Sequence, residues 1–101
     1  MGKRLLIVED DPNILDVEQI LLEGIFEQID SAENVEEAEV CLIQDKYDLI
    51  LLDINLNGRN GAEVVSFLQQ NKKNPNFQTP IIIVSGIIDD KFKSKFSKRF
   101  A

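Results

Sequence analysis

Residues 5–12 read LLIVEDDP: four apolar residues, Leu5 to Val8, run straight into Glu9, Asp10 and Asp11, and then Pro12. An apolar run of strand length with no polar alternation belongs to a strand buried on both faces, as in a parallel sheet. Asp11 followed by Pro12 is a helix start. The aspartate supplies an oxygen for the unpaired N–H groups of the first turn, and proline has no N–H to waste at the first helical position. A buried strand that passes through acids directly into a helix opens an α/β unit.

Outward from this stretch the two periods alternate. The first helix carries Ile14, Val17, Leu21 and Leu22 on one side, with Gly24 as its stop, and 26–31 is a weaker strand candidate. Asn34 caps a second helix through Val35, Ala38, Cys41 and Leu42, with Glu33, Glu36 and Glu37 at the positive end of its dipole. Residues 48–52 (DLILL) form another buried strand, ending on Asp53. A loop over 54–60 leads to a third helix with Val64, Val65 and Leu68 inward. A polar loop, 71–79, precedes the apolar strand 80–84 (PIIIV), and residues 88–100 have the pattern of a last helix. This order predicts one doubly wound, three-layer α/β/α domain with right-handed crossovers.

Composition narrows the chemistry. The 101 residues contain one cysteine, Cys41, and no histidine, which excludes a disulfide framework, imidazole-based zinc sites and His-activated nucleophiles. Cys41 falls on the apolar face of its helix and reads as core. The net charge is −7, which argues against nucleic acid as a direct partner. Residues 1–90 hold all 18 acids against 6 bases, while 91–101 add five bases and no acid. The apolar start is too short for a signal peptide or a membrane span, so a cytoplasmic address and no membrane partner are expected.

In open parallel sheets, ligands bind beyond the carboxyl ends of the strands where the strand order reverses. That rule selects Glu9 and Asp10 after the first strand, Asp53 after the third, and Ser85 after the fourth. Three neighbouring carboxylates repel one another unless an oxygen-seeking divalent cation relieves them. A site with few carboxylates and spare water positions suits Mg²⁺ better than Ca²⁺. Mg²⁺ held this way serves a phosphoryl group, and an adjacent aspartate is able to accept it as an aspartyl phosphate. A hydroxyl opposite, from Ser85, would hold a phosphoryl oxygen.

The segments LLIVEDDP (5–12), LILLDINLNGRNG (49–61) and PIIIVSG (80–86) resemble, in order, the receiver domain of bacterial two-component response regulators. The resemblance implies a flavodoxin-like sheet with strand order 2-1-3-4, to which the family adds a fifth strand. It implies that Asp53 accepts a phosphoryl group from a sensor histidine kinase or phosphotransfer protein. Glu9 and Asp10 match the family's acidic pair, with Asp10 a direct Mg²⁺ ligand and Glu9 acting through water. Asn55 matches the position whose backbone carbonyl completes the metal site. Ser85 matches the hydroxyl that binds the phosphoryl group and moves on switching, and Gly61 the small residue ending the loop.

Three departures accompany the resemblance. Asn57 replaces a frequent proline, and the 32 residues from Asp53 to Ser85 form a slightly long interval. The family's fifth strand, its phosphate-pairing lysine and its last helix are expected past residue 101, so 1–101 reads as a C-terminally truncated receiver domain. The expected role is a phosphorylation-dependent switch signalling to a downstream output protein or domain. It is no metabolic enzyme, acting only in its own phosphorylation and dephosphorylation. The alternative is a degenerate receiver that binds partners without phosphorylation. A Mg²⁺-dependent phosphatase is disfavoured because Asn55 stands where such enzymes place a second aspartate. Without a fifth strand, strand 80–84 or the last helix would also offer a homodimer contact.

Overall fold

The computed structural model describes residues 2–56 and 58–84. Strand β1 (Arg4–Val8) is its axis: Leu5, Leu6, Ile7 and Val8 expose no surface at all. Burying each such side chain contributes about 1.5–3 kcal/mol. Helix α1 (Pro12–Leu22) follows, started by Asp11, whose Oδ1 accepts from the N–H groups of Asn13 (2.8 Å) and Ile14 (3.4 Å). Strand β2 (Gln28–Ala32) lies slightly later than the expected 26–31. Helix α2 (Val35–Gln44) starts at Asn34, whose Oδ1 accepts from the Glu37 N–H at 2.8 Å, while Glu37 reaches back to the N–H of Glu33.

Strand β3 (Leu49–Asp53) leads into a segment read as plain loop from sequence. It contains a small antiparallel hairpin, β4 (Asn55–Leu56) and β5 (Arg59–Asn60). Gly58 makes its turn at φ 81°, a left-handed conformation that side chains disfavour. Helix α3 (Ala62–Gln69) and strand β6 (Ile81–Val84) complete the described elements. The four main strands pair in parallel in the order β2-β1-β3-β6, the doubly wound arrangement expected. Ser85, Asn57 and the expected helix 88–100 lie outside the described residues.

Two apolar clusters show the three layers. One joins Leu6, Val8, Ile50 and Leu52 to Val35, Ala38 and Leu42 of α2 and to Val64, Val65 and Leu68 of α3, with Cys41 packed against it. The other joins Leu5, Ile7 and Leu51 to Leu15 and Leu22 of α1. Here the expected inward stripe of α1 is corrected. Ile14, Val17 and Leu21 are 44%, 56% and 70% exposed; of the expected stripe Leu22 alone packs against the sheet cluster, joined there by Leu15. Six of the helix's eleven residues are apolar and spread around much of its circumference, so periodicity does not choose a face. The three-residue connection and the Asp11 cap set the helical phase.

At the amino ends of the strands a polar cluster ties the elements together. Arg4 lies 5.3 Å above the Tyr47 ring and pairs with Asp30 and Asp45, and the Tyr47 hydroxyl donates to Asp30 at 2.6 Å. The acids singled out from sequence lie at the opposite, carboxyl ends.

Candidate functional site

Register brings the acids together. Val8 pairs with Leu52 in parallel, so the next residues along, Glu9 just past the end of β1 and Asp53 as the last residue of β3, stand side by side. Glu9 is still held to β2 by its N–H, which donates to the Ala32 carbonyl at 2.9 Å. Glu9, Asp10 and Asp53 each offer a carboxylate oxygen, and these oxygens lie within 4.8 Å of one another. The first strand, the third strand and their tight exits therefore place three of the residues singled out from sequence at one point.

Glu9 is only 3% exposed. Burial, and then hydrogen bonding to Asp53, push its carboxyl group from the ordinary 4.5 up to about 8, although it accepts the N–H of Asp11 at 3.2 Å. Bringing acids together in a poorly solvated pocket disfavours the last negative charge, and a hard dication removes that penalty. The oxygen-only donor set and its spacing fit a small ion such as Mg²⁺. Asn55, on the same rim, donates its N–H to Asp53 Oδ1 at 3.0 Å, which fixes one carboxylate oxygen and leaves Oδ2 out of that bond.

The loop behind Asp53 is held closely. Gly61 donates its N–H to the Ile54 carbonyl at 2.6 Å, and a Cβ at Gly61 would run into the Asp53 carbonyl oxygen. Leu56 is 1% exposed and joins the larger apolar cluster. Two charged residues near the site have no place in the sequence reading. Glu18 lies on the sheet-facing side of α1, and burial and the charge of Asp53 raise its carboxyl group above the ordinary range. Its position three residues after Leu15 is the signal, but it becomes readable only when the helical phase is known. The other is Arg59, which pairs with Glu36 and Glu63. Only its spacing of four from Glu63 was visible in the chain.

The family model described as "Response regulator receiver domain" matches residues 5–99. The chain belongs to that family. It is 39% identical over 74 residues to the transcriptional regulatory protein LytR of Staphylococcus aureus, covering 71% of this chain and 30% of LytR. It is 33% identical over 91 residues to the regulatory protein VanRB of Enterococcus faecalis, covering 89% of this chain and 39% of VanRB. The chain thus spans about a third of the length of these relatives. A solved response regulator from Hahella chejuensis superposes with a TM-score of 0.82 at 35% identity, covering 98% of this chain and 75% of that one. The flavodoxin-like receiver fold and the two-component family are those expected from the three motifs. Among the described residues no helix is long and apolar enough to cross a membrane.

Proposed function

We propose that this receiver domain takes a phosphoryl group onto Asp53 in a Mg²⁺-dependent reaction and signals the change to a downstream protein or domain. The observation that carries the reading is the meeting of Glu9, Asp10 and Asp53 within 4.8 Å at the carboxyl ends of β1 and β3. Asp10 and Asp53 would hold Mg²⁺ directly, Glu9 through water, and the Asn55 carbonyl would complete the set. Mg²⁺, when bound, neutralises charge on the carboxylates and on the incoming phosphoryl oxygens. The chain's own residues orient the acceptor. The Asn55 N–H holds Oδ1 of Asp53, so Oδ2 attacks phosphorus as the donor's bond to it breaks. Ser85 would donate its hydroxyl hydrogen to a phosphoryl oxygen and carry the switch.

The donor would be a sensor histidine kinase or a phosphotransfer protein, met in the cytoplasm. The chain acts on no separate substrate beyond accepting phosphate and losing it to water. Direct nucleic-acid or membrane binding is not part of this role, given 18 acids against 11 bases. Titration with Mg²⁺ followed by NMR tests the site. The amides of Asp10, Asp53 and Asn55 should shift, and beryllium fluoride with Mg²⁺ should shift them further. Unchanged shifts in Asp10→Asn would refute the assignment.

A further inference from the structure

Arg59 joins three elements around the segment that follows Asp53. Its Nε and Nη2 donate to the two carboxylate oxygens of Glu63, at 3.2 and 2.7 Å, in the first turn of α3. Its Nη1 meets Glu36 in the first turn of α2. Two-pronged pairing of a guanidinium with a carboxylate fixes direction as well as distance, which a lysine ammonium does not. Arg59 lies opposite Leu56 in the hairpin, and its neighbour Asn60 lies opposite Asn55. The strand gripped by Arg59 is therefore the partner of the strand that carries Asn55.

A hairpin with two residues in each strand does not hold its own shape in water, so its position must come from anchors. From the core side the anchor is Leu56, 1% exposed. On the outside it is Arg59, whose side chain is 44% exposed between Glu36 and Glu63 at 65% and 46%. Ion pairs this exposed contribute little to global stability. What they supply here is placement: they pin β5 to the amino ends of α2 and α3 at once.

We propose that Arg59 is a positioning residue for the phosphoacceptor site, holding the β4–β5 hairpin so that the backbone of Asn55 keeps its place beside Asp53. The inference rests on the phosphoacceptor reading and deepens it. With the clamp released, the Asn55 carbonyl samples more positions, and a metal site that needs it binds more weakly.

The test uses Mg²⁺ alone, titrated by NMR into the parent chain, Arg59→Gln and Arg59→Lys, with thermal melts of all three in metal-free buffer. Supporting partners of metal ligands typically matter tenfold or more, and Arg59 acts one step further out, so Arg59→Gln should weaken Mg²⁺ by about three- to tenfold. Its melting temperature should stay within about 2 °C of the parent, as expected for exposed pairs. Arg59→Lys should recover part of the affinity, since it keeps the charge and loses the fork. Unchanged affinity in Arg59→Gln would overturn the proposal. So would a loss of affinity that merely tracks a large loss of stability, or a lysine variant no better than glutamine. A parent chain whose Asp10 and Asp53 amides ignore Mg²⁺ would instead refute the phosphoacceptor reading, and the role of Arg59 with it.

Discussion

Glu9 carries an acid into a nearly closed pocket, and its ionisation there has a readable consequence. Its folded-state value of about 8 lies above the ordinary 4.5 because the buried group sheds charge beside Asp53. The folded chain therefore holds a proton that the unfolded chain has already lost over that interval. The stabilisation from neutral Glu9 is complete below about pH 4.5 and is lost as pH rises through about 8. In metal-free buffer the melting temperature should fall as pH rises across this window, and Glu9→Gln should flatten that contribution. Mg²⁺ competes for the same carboxylates, so its affinity should strengthen as pH rises. An affinity constant across the window would count against Glu9 as part of the site. The identities of Glu9, Asp10 and Asp53 were legible because each closes a strongly apolar strand. Their pairing was legible because parallel strands put such ends on one edge. The burial of Glu18 was not, because it depends on a rotation of α1 that no local pattern fixes.

Elements differ in how much of them the chain announces. Strands β1, β3 and β6 are buried or nearly so along one face or both, and their Leu, Ile and Val runs state it directly. Strand β2 mixes polar and apolar residues and was placed two residues early at its start. The β4–β5 hairpin was read as loop because two-residue strands leave no periodicity to find. The long connection from α3 to β6 hides its anchor in the same way. Asn76 is fully buried there, where a polar loop residue is expected to meet water. Its Nδ2 donates to the carbonyls of Leu42 (2.9 Å) and Asp45 (2.6 Å) at the end of α2, and its Oδ1 accepts from the Tyr47 N–H at 2.7 Å. One side chain thus closes the open carbonyls of a helix and secures the entry to β3. Asn76→Ala would leave these groups buried without partners, at about 1–3 kcal/mol for each one stranded. Urea unfolding should show a loss of at least about 2 kcal/mol for this variant. A loss below about 0.5 kcal/mol would mean that water replaces the side chain at no cost.

At the scale of the whole molecule, parallel strands, short exits and helices on both faces bring three acids to one end of the sheet and a polar tie to the other. Strand β6 is the outer strand of the described sheet, with Ile82 and Val84 exposed by 46% and 39%. The family and the fold were both legible in three short motifs, two of which carry the strand ends that bring the acids together. The metal, the phosphate and the switch are chemical events, and the most direct test of them is covalent. The chain should be incubated with Mg²⁺ and a small-molecule phosphodonor such as acetyl phosphate, and its intact mass recorded. The expected result is the gain of one phosphoryl group in the parent chain and none in Asp53→Asn. A parent chain that gains nothing, or an Asp53→Asn variant that labels equally well, would contradict the assignment of Asp53 as the phosphoacceptor.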